Sequence, residues 1–337
     1  MVDTLTHALS GALLARATAP GDAPPRSLPR RIAAGFFACT APDLDFVISF
    51  VGPVEYLLSH RGITHSVLLL PAWALLFSWI LAKLLREPRG WRALYGVTAL
   101  GIAAHIAGDL ITSFGTMILE PFSDWRAGIG TTFIIDLWFS GIIVAGLVLS
   151  LIFRKQRWPA VAASVLLCGY VGFQYVQKQR AMEFGFEYAR SMALRDALVT
   201  VHPRPVSPFN WTVFVSDDEA HRFAHVNLVR KEPRRYTPGE GFIARIDSPY
   251  LPLEQAVWVT RRRYGETERE VIREAWNAES LAFFRWFAAL PAFDGMGQGC
   301  VWFTDLRFLT PGRTNVPFRY AVCRDRPGAG WSLGPTS

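Results

Sequence analysis

Apolar residues follow two regimes along this chain. Up to about residue 177 they run in long blocks. Residues 66–85, 93–114, 132–153 and 159–176 each approach the length of about 20 mostly apolar residues that a bilayer-crossing helix needs. Residues 32–51 form a fifth block, broken in its middle by Ala41-Pro42-Asp43-Leu44-Asp45. Residues 4–17 are apolar but too short to span alone, which suits a half-helix packed against the others. Beyond residue 177 the period shortens. Alternation bounded by Pro, Gly and Asp predicts strands over 211–215, 223–229, 241–246 and 256–260, then over 301–308 and 318–322. Residues 267–290, with Trp276, Phe283, Phe284 and Phe287 among the apolar positions, predict one helix. The fold class is therefore mainly α. A multi-span transmembrane helical bundle over residues 1–177 precedes a smaller soluble α+β domain over residues 178–337.

Composition sharpens this division. The 337 residues are 51% hydrophobic and 19% charged, which excludes a disordered or collagen-like chain and does not suit a soluble enzyme. Residues 1–177 hold 13 Lys and Arg and 10 Asp and Glu, leaving 22 and 18 for the rest. The formal charge of +7 is not a nucleic-acid signal, because the basic residues sit in short clusters beside the apolar blocks. Arg26, Arg30 and Arg31, then Lys83, Arg86, Arg89 and Arg92, then Arg154, Lys155 and Arg157 mark the cytoplasmic ends. The alternate loops, 52–65 and 115–131, carry only Arg61 and Arg126. One orientation satisfies every loop, and it puts the chain after residue 177 outside the cytoplasm. In that compartment Cys300 and Cys323 are able to pair, while Cys39 and Cys168 lie in apolar runs as core thiols. The N-terminal MVDTLTHALSG lacks a basic region and carries Asp3, so it does not read as a cleavable signal peptide.

Candidate chemistry lies where a membrane should forbid it. Asp43, Asp45, Asp109, Asp136 and His105 all fall within apolar runs. An Asp at the bilayer centre costs roughly 2.5–3.5 kcal/mol on the insertion scale, so four cost on the order of 10 kcal/mol. That is comparable with the whole stability of a domain, about 5–15 kcal/mol. A divalent metal offsets it, since structural zinc contributes about 10–16 kcal/mol in peptides. His105 and Asp109 are four apart and share a helix face. Asp3 and His7 repeat the spacing in reverse order. Pro42 suits a first helical turn, which sets Asp43 and Asp45 at a positive helix end. The run His60-Arg61-Gly62-Ile63-Thr64-His65-Ser66 predicts a turn at Gly62 into a helix capped by Thr64 or Ser66. In the orientation above, His65, His105, Asp109, Asp136, Asp43 and Asp45 all fall toward the outer side. For Asp136 the competing reading is a plain interfacial residue, and for Asp43 a helix cap. His202, His221 and His225 lack ligand partners at useful spacing and read as surface or core histidines.

The ordered series Asp3-Thr-Leu-Thr-His7, Pro42-Asp-Leu-Asp45, His60-Arg-Gly-Ile-Thr-His65-Ser, His105-x3-Asp109, Pro121-Phe-Ser and Ile135-Asp136 resembles the bacterial inner-membrane metal-dependent hydrolase family typified by YdjM. The likeness covers roughly residues 1–150. It implies a bacterial inner-membrane location and metal residues at His7, Asp45, His65, His105 and Asp109, with Asp43 and His60 less firmly included. The His-x3-Asp helix is also similar to one in zinc-dependent phospholipase C and single-strand nucleases.

A mixed imidazole and carboxylate set suits Zn²⁺ first, then Mn²⁺ or Fe²⁺. The expected activity is hydrolysis by metal-activated water, with Asp43 or Asp136 as general base and His60 or Arg61 holding developing negative charge or a substrate phosphate. The expected partners are membrane lipid and a lipid-linked ester or phosphodiester, with no nucleic acid. The rival expectation is a transporter of divalent metal or protons through the same residues. Against it, the inner halves of blocks 66–85, 93–114 and 132–153 lack acids and histidines.

Overall fold

The computed structural model describes residues 4–20, 27–312, 317–326 and 328–334. Asp3 and Arg26 lie outside them. The chain divides into two compact units, Met1–Tyr175 and Val176–Ser337.

The first unit is helical. Its elements are α1 (Thr4–Ala17), α2 (Ser27–Ala38), a 3-10 helix (Pro42–Phe50), α3 (Pro53–Ser59), a 3-10 turn (Ile63–His65), α4 (Leu70–Leu84), α5 (Arg92–Leu110) and α6 (Leu137–Ile152). Helix α7 (Trp158–Ser191) begins here and ends in the second unit. Only small residues let α1, α2 and α5 cross as they do. A Cβ on Gly11 would sit 2.1 Å from the Gly35 carbonyl oxygen, and one on Gly35 would sit 2.5 Å from that of Gly11. A Cβ on Gly101 would stand 3.0 Å from the Ala38 methyl and 3.2 Å from the Gly35 carbonyl oxygen. This backbone contact holds the short α1 against its neighbours, with Ala8, Ala12, Leu13 and Ala15 buried. Arg16, also buried, donates to the carbonyls of Arg154 and Gln156 and ties the end of α1 to the loop between α6 and α7.

Two helices, α5 and α7, are long and apolar enough to cross a membrane among the described residues. The number is four if α2 with the following 3-10 helix, bent by 43°, and residues 53–65 with α4, bent by 84°, each make one span. The blocks at 66–85 and 132–153 thus give shorter helices than their apolarity predicts. Ser66 Oγ donates to the Glu120 carbonyl and accepts from Leu68 N–H, which spends residues 66–69 on a turn before α4. Asp136 accepts from Trp138 N–H and Phe139 N–H, so α6 starts at Leu137.

The second unit carries two sheets. Strands β1 (Leu198–Pro203), β2 (Asn210–Ser216) and β3 (Ala220–Asn227) form an antiparallel meander. After α8 (Phe242–Asp247) come β4 (Leu251–Pro252), parallel to β3, and β5 (Val259–Arg262), antiparallel to β3. Helices α9 (Arg269–Asn277) and α10 (Ala282–Phe287) precede the antiparallel β6 (Pro291–Gly297), β7 (Cys300–Asp305), β8 (Arg319–Cys323) and β9 (Ser332–Leu333). Trp211, Val213, Ala224 and Val226 of the first sheet pack on Ala181 of α7. Cys300 and Cys323 oppose each other across β7 and β8 and are joined by a disulfide.

Three sequence expectations differ here. The strand expected at 241–246 is α8, where Arg245 stacks on Phe242 one turn earlier, a contact that helical spacing makes and strand spacing does not. The single helix expected over 267–290 breaks at Ala278, which is extended. The Arg285 guanidinium reaches back to the Trp276 and Ala278 carbonyls, bonding acceptors freed at the end of α9. Strand β7 stops at Asp305, whose carboxylate accepts from Arg307 N–H and starts a 3-10 turn.

Candidate metal centre

Helix α5 contributes His105 and Asp109, both fully buried and on one face as their spacing requires. The turn Ile63–His65 brings His65, the 3-10 helix brings Asp43, and α1 brings His7. One ligand atom each from Asp43, His65, His105 and Asp109 lies within 4.8 Å of the others. His65 Nε2 stands 3.0 Å from His105 Nε2 and 3.1 Å from Asp109 Oδ2. His105 Nε2 is 3.5 Å from both Asp109 Oδ2 and Asp43 Oδ1. His7 Nε2 reaches Asp109 Oδ1 at 3.3 Å, and its ring stacks on His105 with centroids 4.0 Å apart.

The hydrogen bonds behind these rings orient them. His105 Nδ1 is 2.7 Å from the Cys39 carbonyl oxygen, which only accepts, so the proton is on Nδ1 and the lone pair on Nε2. Thr64 Oγ1 lies 2.9 Å from His65 Nδ1 and 3.3 Å from Asp45 Oδ2, so Thr64 engages the far nitrogen of His65 and leaves Nε2 facing His105. Two imidazole nitrogens then face each other at 3.0 Å beside a carboxylate neither of whose oxygens accepts a well-aligned hydrogen bond from the described residues. A proton shared between the two nitrogens or a cation among the donors satisfies this arrangement. The residues fit a divalent metal.

Around this group the other sequence candidates take different places. Asp45 stands behind His65: its carboxylate accepts from His60 Nδ1 at 2.9 Å, Arg61 N–H at 3.0 Å and Thr64 Oγ1, and lies 3.7 Å from His65 Nδ1. Asp43 is the carboxylate of this pair that falls in the group with His65, His105 and Asp109. In a 3-10 helix two residues are two-thirds of a turn apart, so these two carboxylates cannot face one point. Arg61 is buried and directs Nη2 at Asp109 Oδ1, 2.8 Å away, and Nη1 at Thr112 Oγ1. It adopts a left-handed backbone (φ 61°), whereas Gly62 does not, so the turn is one residue earlier than the sequence suggests. Strain of about 1–3 kcal/mol persists only where surroundings over-determine it. Here they do: Arg61 N–H is held by Asp45 and its carbonyl by Met117 N–H. Neither Thr64 nor Ser66 is the N-cap of α4, a position that Leu69 holds. Asp136 is not in the ligand group. Besides capping α6 it accepts from Tyr170 Oη and Gln174 Nε2 on α7, partners one helical turn apart.

Cys39, which sequence spacing does not single out as a ligand, brings its thiol into a second group with His7 and His105, their ligand atoms all within 4.8 Å of one another. Of the other histidines, His221 is bonded on both nitrogens, to Ser216 Oγ and the Pro291 carbonyl, and His225 Nδ1 to Thr212 Oγ1. Burial, with Arg204 nearby, pushes His225 down to about 3, so it is neutral.

Comparison with known proteins agrees with the extent of the helical unit. The profile of the family described as YdjM inner membrane protein matches residues 1–181. Inner membrane protein YdjM of Escherichia coli (strain K12) is 35% identical over 107 residues, 28% of this chain and 50% of that protein, and its Shigella flexneri counterpart matches equally. Uncharacterized protein YfhP of Bacillus subtilis (strain 168) is 24% identical over 184 residues, 54% of each chain. This chain thus spans about half the length of the curated relatives it matches. No solved structure matches it.

Proposed function

The chain belongs to the YdjM inner membrane protein family, and within that membrane family we propose that it is a metal-dependent hydrolase of a lipid or lipid-linked ester or phosphodiester. The observation that carries the reading is the meeting of Asp43, His65, His105 and Asp109, with the two imidazole nitrogens 3.0 Å apart. These four would hold the ion, Zn²⁺ by preference and Mn²⁺ or Fe²⁺ next, with His7 beside them. Bound there, such an ion supplies Lewis acidity toward a carbonyl or phosphoryl oxygen.

The chain's own residues divide the remaining work. Asp43 is the one ligand-group member whose side chain keeps some exposure, 13%, and Thr4 Oγ1 bonds its Oδ2. It is the carboxylate best placed to take a proton from outside the group. Asp45 orients His60 and His65, the carboxylate–histidine support common behind metal ligands. Arg61, engaged with Asp109 and Thr112, neutralises the buried acid and positions it, so it serves the ligand group before any substrate. Asp136 fastens α6 to α7. The loop charges favour several spans with residues 178–337 outside the cytoplasm, and paired Cys300 and Cys323 agree with an oxidising compartment.

A proton relay or metal transporter remains the second reading, because a shared proton would also reconcile His65 Nε2 with His105 Nε2. Purified protein decides between them. Bound divalent metal together with metal-dependent release of fatty acid or phosphate from bilayer lipid supports the hydrolase. Metal-free protein that dissipates a pH gradient in vesicles supports the relay and ends the hydrolase reading.

A further inference from the structure

A cavity of about 440 Å³ lies within the helical unit, bordered by α1, α5, α6, α7 and the segment before α6. Its lining is mostly hydrocarbon, with Leu13, Leu14, Ile111, Phe139, Leu167 and Val171 prominent. Of the residues gathered around the ligand group, His7 and Thr112 also form its wall. His7 touches Asp109, and Thr112 accepts from Arg61. On α5, Ala104, Ala107 and Gly108 present no more than a methyl, which keeps the space beside His7 open.

We propose that this cavity seats one hydrocarbon chain of the substrate lipid, bringing the bond at the head of that chain to the ligand group past His7 and Thr112. The chemistry of the lining selects the occupant. An apolar cavity of about 150 Å³ stays dry and takes a benzene molecule, so water is not the natural filling. At that density this larger space takes on the order of eighteen carbons, the size of one lipid chain. Its volume also falls inside the range of small-molecule sites, about 300–1,000 Å³. In a membrane protein the hydrocarbon guest is already at hand. The identity of the guest as substrate rests on the hydrolase reading; its seat in the cavity does not.

The test uses the full chain in phosphatidylglycerol nanodiscs carrying a trace of phosphatidylglycerol with a mid-chain diazirine. After illumination, lipid adducts are mapped by peptide mass spectrometry. Adducts are expected at Leu14, Leu167 and Cys168, in excess over the exposed Val144 and Leu151, which do not line the cavity. Ala107→Phe on α5 and, separately, Ser164→Phe on α7 fill the space from different helices. Each should lower the cavity adducts about tenfold, equivalent to about 1.4 kcal/mol of chain affinity, with bound metal unchanged. Equal adducts at cavity and outer positions in the unmodified protein, or adducts indifferent to both fillings, overturn the proposal. Cavity adducts without lipid hydrolysis end the hydrolase reading and leave the seat standing, whereas hydrolysis without cavity adducts does the opposite.

Discussion

Asp109→Asn keeps the size of the side chain and removes its charge, and the structure allows both consequences to be worked out. Asp109 is fully buried, with Arg61 Nη2 at 2.8 Å, His65 Nε2 at 3.1 Å, His7 Nε2 at 3.3 Å and His105 Nε2 at 3.5 Å. Neutralising it strands the Arg61 guanidinium, and breaking a buried pair on one side costs about 3–5 kcal/mol. Against a total of about 5–15 kcal/mol that is severe without being lethal. The second consequence concerns metal. A ligand present at a thousand times its Kd stabilises the native state by about 4 kcal/mol, so chelation should lower the Tm of the unmodified protein and leave that of Asp109→Asn unmoved. The pair must be separated from the ion, and Arg61→Met does so. If Asp109 served only Arg61, the double variant Arg61→Met with Asp109→Asn would regain stability and metal together. The expectation is that it regains part of the stability and none of the metal. Thermal unfolding in detergent, with and without chelator, and metal analysis of the four proteins are the measurements. Full metal occupancy in Asp109→Asn refutes the ligand assignment.

Gly11→Leu should be worse than an ordinary overpacking change of about 1–3 kcal/mol, because its Cβ meets the Gly35 carbonyl rather than a mobile side chain. It should also lower metal content by displacing His7; normal expression, Tm and metal would show that the α1–α2 contact is looser than described. On acidification, His225 must stay neutral in the fold while it charges in the unfolded chain. Stability is therefore full above its ordinary value near 6.5 and is lost as pH falls toward about 3, by at most on the order of 5 kcal/mol. His225→Gln should flatten that decline in denaturant titrations between pH 7 and 4, and an unchanged slope counts against it. A reporter active only in the cytoplasm, fused after Ser337, should stay silent, and peptides holding Cys300 and Cys323 should be recovered linked from unreduced protein. A bright reporter with two alkylated thiols would invert the topology.

What the sequence showed of the site were features that depend on spacing within one regular helix. His105 and Asp109 obey the four-residue rule, and the sequence reading placed them together. The placing of Asp43 beside His105 and of Asp45 behind His65 was hidden because it depends on how the 3-10 helix Pro42–Phe50 meets α5 and the turn Ile63–His65. Arg61 was illegible for a related reason: the neighbouring glycine draws the turn to itself on propensity, while Asp45 and Met117 hold the left-handed residue from outside the segment. The partners of Asp136 on α7 and the approach of Cys39 to His7 come from helix packing, which leaves no local mark. In the second unit, β2 and β3 fall on expected strands although they are buried on both faces rather than alternately, whereas the strand expected at 241–246 forms α8.

The glycine crossing of α1 and α2 bears on how the protein matures. Helix α1 has 14 residues, and at about 1.5 Å per residue it is some 21 Å long, short of the roughly 30 Å hydrocarbon layer. It cannot anchor itself in a bilayer, yet it precedes the helices that seat it and carries His7. Its seat consists of surfaces on α2, α5 and α6, which emerge from the ribosome later. Any ion held beside His7 would therefore wait for the same event as the seating of α1. Complete coordination would then be a sign that the bundle has closed, and a quality-control protease that recognises an unseated α1 would be reading metal status as well.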